Sequence, residues 1–303
     1  MCHEIMLPDT EDETFVCNLL GMNIEKFDEW RDTDAIEVGI YFMDAMLTDF
    51  IDKNKDNLFM QPAVKFAERH RAMGMGASGY HNYLQSKSVP FSSMEAKFIN
   101  TNIFKTIKTQ AYAASEKMAL EYGKPEMLEE DKYKRRHTTL LAVAPNTSSS
   151  FIMEQQSQSI EPHVSNYYIK DVAKTRITVK NKYLLKLLEE KGKNTDDVWK
   201  SIMKKNGSVQ HLDFLSDHEK QVFETFGEIS QMEILIQAST RQKFIDQAQS
   251  LNLMVPSGST PADVTYLIIK AWQLGIKTLY YQLNVSAVQE FGKAITECDG
   301  CAG

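Results

Sequence analysis

No cysteine occurs between residues 18 and 297 of this 303-residue chain. Its four cysteines stand near the two ends, at Cys2, Cys17, Cys298 and Cys301. Small secreted proteins distribute disulfides through the whole fold, so this arrangement argues against a disulfide scaffold. In a reducing compartment, cysteines placed in this way indicate thiol chemistry or metal binding.

The sequence also lacks an apolar run long enough to span a bilayer, and its N-terminus has no signal-peptide pattern. It has no basic excess, because 34 Lys and Arg stand against 41 Asp and Glu. We therefore expect a cytoplasmic protein with no membrane and no nucleic-acid partner. With 43% hydrophobic and 25% charged residues, the chain can bury a core as one large α/β unit or about two domains.

The C-terminal cysteines form a Cys298-Asp-Gly-Cys301 pair. A structural zinc site needs four ligands, and the nearest histidine in the sequence is His218, so we expect no metal here. The flanking residues are small or acidic, which predicts a redox dithiol on a flexible tail. The alternative is an incidental pair of surface thiols.

Apolar spacing and turn residues predict alternating helices and strands. Helices are predicted over 35–53, 92–122, 231–248 and 260–275, and solvated helices within the charged stretch 170–220. Strands are predicted within 71–80, 138–144, 251–255 and 277–283. A capping box from Ser92 to Glu95 is expected to start the second helix, and Thr260 to cap the last. This order predicts an α/β fold with mostly parallel strands and a boundary near residue 285.

Three groups of residues are candidates for chemistry. Cys2 and Glu4 lie on the same side of an extended segment and would pair a thiol with a proton acceptor, although chain termini also fray without function. Tyr280 and Tyr281 are adjacent in the last predicted strand, so one should face the core and the other the surface. Packing is the alternative for this pair. The third group is a hydroxyl-rich turn made of Pro145, Asn146, Thr147, Ser148, Ser149 and Ser150.

That turn follows a buried strand, and it would bind a phosphate if a helix starts there, since backbone N–H groups then point at the anion. The alternative is a simple Ser- and Thr-rich turn.

Together these segments resemble the large (α) subunit of class I ribonucleotide reductase, in that family's order from residue 1 to residue 303. The matching segments are Cys2-x-Glu4-Ile5-x-Leu7-Pro8 with 15–19, 144–149 with Ile160-Glu161-Pro162, 246–253, Lys277-Thr278-x-Tyr280-Tyr281, and the terminal dithiol. None is specific alone, but five in sequence are.

The resemblance implies the second half of a ten-stranded α/β barrel with helical insertions. Residues 1–285 would form the C-terminal part of the catalytic barrel, and residues 286–303 a flexible redox tail. The family's motif reads Asn-x-Cys-x-Glu, and Met1 stands directly before Cys2. We therefore expect the C-terminal piece of a split large subunit, of the kind an interrupted phage or other viral gene could produce, located in the host cytoplasm in that case.

The resemblance also implies roles for the cysteines. Cys2 would become the transient thiyl radical that removes a hydrogen atom from the ribose, and Glu4 would be the general base. Cys17, with a cysteine on the missing piece, would supply two electrons and become a disulfide. Cys298 and Cys301 would reduce that disulfide again by thiol exchange.

Tyr281 and Tyr280 would relay the radical from a separate small (β) subunit, and Pro145, Asn146, Thr147, Ser148 and Ser149 would hold the diphosphate of a ribonucleoside diphosphate substrate. The di-iron or tyrosyl radical cofactor would belong to the small subunit, with no metal or cofactor in this chain. The other implied partners are an N-terminal large-subunit fragment and thioredoxin or glutaredoxin.

Three other classes compete with this interpretation. A glycyl-radical enzyme needs an Arg before a C-terminal Gly-Tyr, whereas Gly79-Tyr80 follows Ser78 and lies early in the chain. A thiol–disulfide carrier would explain the terminal dithiol but not a chain of this size. A non-catalytic viral scaffold would show no thiol chemistry.

Overall fold

The computed structural model describes residues 2–146, 148–153, 157–172, 175–255 and 258–284. Its strands are β1 (Leu19–Asn23), β2 (Gly74–Ser78), β3 (Tyr167–Val172), β4 (Thr175–Lys180), β5 (Leu253–Val255) and β6 (Gln282–Asn284). Its helices are α1 (Phe27–Trp30), α2 (Ala35–Asn54), α3 (Gln61–His70), α4 (Tyr80–Ser86), α5 (Met94–Tyr122), α6 (Ser148–Ile152), α7 (Lys182–Glu190), α8 (Asp196–Lys204), α9 (Asp217–Val222), α10 (Gln231–Gln242) and α11 (Pro261–Gln273). Short 3-10 turns occupy Ile24–Lys26, Leu58–Met60 and Glu126–Leu128. None of these described helices is both long and apolar enough to cross a membrane.

Extended segments lie side by side in the order in which the chain reaches them. β1 pairs in parallel with β2, and β2 is bridged in parallel to Leu141. Val143 is bridged in parallel to Gln249, and β5 pairs in parallel with β6. Helices connect the successive segments, as parallel strands require. The predicted α/β fold with mostly parallel strands is confirmed.

The segment 138–144 is buried as predicted, with Leu140, Leu141, Ala142 and Val143 each at most 1% exposed. It forms isolated bridges rather than a continuous strand. Glycine in β2 allows this segment to pass very close, because a Cβ atom on Gly76 would overlap the carbonyl oxygen of Ala142. The close approach brings the backbones of β2 and 138–144 into one layer.

The principal core lies between these parallel segments and the helices that connect them. α2 contributes Ile36, Ile40, Met43 and Leu47, whose spacing places them on one buried face. The predicted helix 35–53 is therefore confirmed. α5 begins one residue later than predicted, at the N-cap Ser93, whose side chain accepts from the Ala96 N–H. The capping box from Ser92 to Glu95 is wrong because the serine in the extended N-cap conformation is followed three residues later by alanine.

The charged stretch 170–220 differs from the prediction. Its first part belongs to an antiparallel hairpin, β3 and β4, and only its later part forms helices α7, α8 and α9. Alternating β-branched residues in 175–180 favour the strand, and the surrounding charges concealed that pattern. The helices build a second core around Trp199, which is 1% exposed, and are not simply solvated.

Two more boundaries differ. α10 ends at Gln242 rather than near residue 248, and β6 begins at Gln282, so Tyr280 and Tyr281 precede the last strand. α11 starts as predicted, with Thr260 and Asp263 forming a capping box. The boundary near residue 285 and the tail 286–303 lie outside the described residues and stay predictions.

Asp44 on α2 is the centre of a buried polar cluster. Its Oδ1 accepts from Arg71 Nε at 2.6 Å, His137 Nε2 at 3.0 Å and Arg136 Nε at 3.1 Å. His137 Nδ1 in turn accepts from the Ser115 hydroxyl at 2.7 Å. Burial alone would raise the pKa of Asp44, but the hydrogen bonds from His137 and Arg71 outweigh it and hold that pKa well below its usual range. Asp44 therefore stabilises the fold above its unfolded-state pKa of about 3.9, and this contribution is lost as the pH falls through the folded-state value.

We expect Asp44→Asn to lower the free energy of unfolding by about 3 kcal/mol, because it leaves two arginines without their counter-ion in a buried site. The melting temperature of the assembled protein should fall by roughly 5–10 °C. Asp49→Asn on the same helix is the matched control, since the Asp49–Lys53 pair is exposed and contributes only about 0–1 kcal/mol. Equal melting temperatures for the two variants would contradict this assignment.

Candidate active site

The N-terminal segment lies along the extended stretch 247–250, at the other end of the sequence. The Ala248 N–H donates to the Glu4 carbonyl at 2.9 Å. The His3 N–H donates to Ser250 Oγ at 2.8 Å, and the Met6 N–H to Gln247 Oε1 at 3.0 Å. These bonds fix the backbone directly after Cys2 and on both sides of Glu4.

A second set of contacts holds the same segment at Glu13 and Thr14. Glu13 is 3% exposed. It forms an ion pair with Arg69, and its Oε2 lies 3.5 Å from His70 Nε2. The Thr14 N–H donates to the Pro62 carbonyl at 3.2 Å. Both contacts tie the segment to α3, so its course between Glu4 and Cys17 is fixed at two points.

Glu4 is fully buried although it stands four residues from the start of the chain. Its Oε2 accepts from the Ser250 hydroxyl at 2.5 Å. Its Oε1 is buried and has no hydrogen-bond partner among the described residues. Buried carboxylate oxygens are ordinarily hydrogen-bonded, so this atom is suited to accept a proton from a ligand hydroxyl.

Cys17 is the second thiol of the site, and a single residue, Asn18, separates it from the start of β1. Cys2 and Cys17 are both free and both exposed. Partial desolvation raises the pKa of the Cys17 thiol, and the charges of Glu4 and Cys2 raise it further. The two thiols and the carboxylate therefore lie within electrostatic range of one another, and Cys17 holds its proton at neutral pH.

The rings of Tyr280 and Tyr281 are in contact, with centroids 3.9 Å apart and planes tilted by 41°. The expectation that they face opposite sides is wrong, because they precede β6 and lack regular strand geometry. A side-chain hydrogen bond with Tyr281 raises the pKa of Tyr280 to about 12, with smaller effects from desolvation and from the charges of Tyr281, Cys2 and Glu4. The tyrosine pair thus lies within electrostatic range of the Cys2 and Glu4 side chains.

A buried amide and carboxyl support the tyrosine pair. Asn252 Oδ1 accepts from the Tyr281 N–H at 3.0 Å, and Asn252 Nδ2 donates to Glu161 Oε1 at 2.6 Å. Burial raises the pKa of Glu161 to about 7, against the opposing effect of the Asn252 hydrogen bond. Sequence reasoning assigned no role to Ser250, Asn252 or Glu161. The available signal was their position inside the segments 246–253 and 160–162 that carry the family resemblance.

The hydroxyl-rich turn is followed by the short helix α6, as its phosphate interpretation requires. The Asn146 carbonyl accepts from the Ser159 N–H at 3.0 Å and from the Ser150 hydroxyl at 2.7 Å. A Cβ atom on Gly21 would lie 2.9 Å from Asn146 Nδ2, so this side chain rests against β1. The turn is therefore close to the strand that begins just after Cys17.

A family model described as "Ribonucleotide reductase, barrel domain" matches residues 1–138 and 127–282. The chain belongs to this ribonucleotide reductase family. The predicted family and its barrel fold are thereby confirmed. The matched segments contain Cys2, Glu4, Cys17, Tyr280 and Tyr281.

Solved and sequenced members of the family align with nearly the whole chain. The class Id ribonucleotide reductase alpha subunit of Actinobacillus ureae superposes with a TM-score of 0.88 at 48% identity, covering 93% of this chain and 52% of that one. The ribonucleoside-diphosphate reductase large subunit of Invertebrate iridescent virus 3 is 39% identical over 93% of this chain and 45% of its own length. The corresponding large subunit of Danio rerio is 29% identical over 94% of this chain and 39% of its own length. The chain therefore spans about half the length of these relatives or less.

The structure brings together most of the residues that the ribonucleotide reductase resemblance singled out. Cys2, Glu4, Cys17, Tyr280 and Tyr281 form one cluster. Pro145 and Asn146 lie in the turn by β1, and Ser148 and Ser149 are the first two residues of α6. Thr147, Cys298 and Cys301 lie outside the described residues, so their placement stays a prediction.

Proposed function

We propose that this chain is the catalytic part of a ribonucleoside-diphosphate reductase, which reduces ribonucleoside diphosphates to 2′-deoxyribonucleoside diphosphates for DNA synthesis. The observation that carries the proposal is the convergence of Cys2, Glu4 and Cys17 with the tyrosine pair, Tyr280 and Tyr281. These residues come from opposite ends of the chain, and packing alone gives no reason to place thiols, a buried carboxylate and two contacting tyrosines together.

The proposed reaction starts at Cys2. Its thiyl radical removes a hydrogen atom from the ribose, a step made feasible by the similar strengths of S–H and ribose C–H bonds. Glu4 Oε1 accepts the proton of the neighbouring hydroxyl and returns it when that hydroxyl forms again. The 2′-hydroxyl takes up one of the two cysteine protons and leaves as water. Cys17 and a cysteine on another polypeptide supply two electrons and two protons and become a disulfide. Cys2 then returns the hydrogen atom to the ribose and is a thiyl radical again.

The tyrosine pair would deliver the radical to Cys2. Tyr281 is 54% exposed and accessible to a partner, whereas Tyr280 is half-buried and interacts electrostatically with Cys2. Their rings are in contact, with centroids 3.9 Å apart, which gives a short path for a proton-coupled transfer between the two phenols. The radical would originate on a di-iron or tyrosyl cofactor of a separate small subunit.

The turn Pro145–Ser149 would hold the substrate's diphosphate, with the N-terminus of α6 directed at the anion. Its position supports this role, since Asn146 rests against Gly21 in β1. Cys17 and Gly21 are four positions apart in the sequence, so Gly21 lies within about 13 Å of Cys17.

An N-terminal fragment of the large subunit would complete the catalytic unit. Within the described part of the chain, β1 pairs with β2 only, so its other edge is open to a further strand. An open edge promotes aggregation of an isolated chain. We expect the chain alone to be poorly soluble and inactive, and to co-purify with the N-terminal fragment after co-expression. Ribonucleotide reduction by this chain alone would contradict the proposal.

The terminal dithiol would return electrons from thioredoxin or glutaredoxin to the oxidised Cys17. We expect Cys298→Ser or Cys301→Ser to abolish turnover with the protein reductant, because thiol exchange needs both sulfurs. Turnover with a small dithiol should remain, since the tail touches no bond of the substrate. Equal loss of activity with dithiothreitol would show that the two cysteines do not act as a carrier.

A further inference from the structure

His3 makes a specific contact with the segment that carries the tyrosine pair. Its Nδ1 lies 2.6 Å from the Leu279 carbonyl oxygen. A carbonyl only accepts hydrogen bonds, so Nδ1 carries the proton and donates it. The imidazole ring also makes an edge-to-face contact with the Tyr280 ring, with ring centroids 5.3 Å apart and ring planes at 66°. The side chain of His3 therefore holds two neighbouring residues of one segment.

The backbone of His3 makes the complementary contact on the other side. Its N–H donates to Ser250 Oγ, and the same hydroxyl donates to Glu4 Oε2 at 2.5 Å. His3 stands between Cys2 and Glu4 in the chain. It thus joins the segment bearing the thiol and the base both to the stretch 247–250 and to the tyrosine segment.

We propose that His3 is a positioning residue, whose Nδ1–H bond to the Leu279 carbonyl fixes the distance between Cys2 and the tyrosine pair. This inference rests on the proposed function, because the distance matters only if a radical crosses it. Such a transfer depends steeply on geometry, and a displacement of about 1 Å can cost about 100-fold in rate.

Two substitutions of His3 distinguish the effect of its Nδ1–H donor from the effect of its ring. In His3→Asn, Nδ2 stands the same number of bonds from Cα as the histidine Nδ1 and can still donate to Leu279. In His3→Phe, the ring stays but the donor is lost. We expect the phenylalanine variant to lose at least about tenfold in kcat with KM unchanged, and the asparagine variant to stay within threefold of the parent.

His218 offers the matched control, because its Nε2 lies 2.9 Å from the Ser88 carbonyl, far from the site in the sequence. His218→Phe removes the same type of bond and should leave kcat unchanged. All variants are assayed in the complex with the N-terminal fragment and the small subunit, by deoxyribonucleotide formation.

Amide hydrogen exchange supplies a readout that does not depend on activity. The Ala248 N–H donates to the Glu4 carbonyl, so loosening of the segment should speed its exchange in His3→Phe but not in His3→Asn. Wild-type kcat and unchanged Ala248 exchange in His3→Phe would overturn the inference, as would equal losses in both variants. Faster exchange in His3→Phe alone, in a complex that forms no deoxyribonucleotide, would support the positioning role and refute the proposed function.

Discussion

Replacing Tyr281 with phenylalanine is expected to reduce deoxyribonucleotide formation to the background of the assay. Phenylalanine keeps the ring volume and the ring contact with Tyr280, whose centroid lies 3.9 Å away, but it lacks the O–H that a proton-coupled transfer needs. Folding and substrate binding should be unaffected. Tyr280→Phe should behave in the same way, because the two contacting phenols act as successive steps of one relay.

The control for this result is a tyrosine with a packing role. Tyr167 in β3 lies against Trp199 in the second core, with centroids 5.5 Å apart. Tyr167→Phe should therefore leave turnover nearly unchanged, and so should Tyr168→Phe on the same strand. Substantial turnover by the Tyr281→Phe complex would remove the relay and leave Tyr280 and Tyr281 as packing residues.

Cys2→Ser is expected to abolish turnover as completely. Serine is nearly isosteric with cysteine. The two hydrogen bonds that hold the segment, from the Ala248 N–H to the Glu4 carbonyl and from the His3 N–H to Ser250 Oγ, do not involve the sulfur. An alkoxyl radical is far harder to form than a thiyl radical, so the substitution removes the chemistry and keeps the structure. Substrate affinity and circular dichroism should match the parent protein. Turnover by the Cys2→Ser complex would place the reacting radical elsewhere.

Local sequence patterns predict the main framework well. α2 and α11 follow from apolar spacing and from the Thr260 cap, because a helix depends on residues three or four positions apart. The parallel order follows from strands separated by helices. The hairpin β3–β4 was missed because its charged residues resemble a solvated helix, and cross-strand pairing has no signal in local spacing.

The candidate site could be predicted from the sequence less completely than the fold. Its residues were found by resemblance to a family, while the contacts that hold them were not. His3 and Ser250 are 247 residues apart in the sequence, yet they share a hydrogen bond. Periodic patterns in a sequence reflect neighbours a few positions apart, so they do not indicate a contact over this separation. The sequence also gives no indication that Glu4 Oε1 lacks a hydrogen-bond partner among the described residues, since both the burial of Glu4 and its bond to Ser250 arise from distant parts of the chain.

The most direct test of the account is the formation of 2′-deoxyribonucleoside diphosphate from a ribonucleoside diphosphate and a dithiol. The assay compares the N-terminal fragment and the small subunit with and without this chain. The account predicts product only when all three polypeptides are present. Product formed without this chain, or no product from a complex that assembles fully and binds substrate, would contradict it.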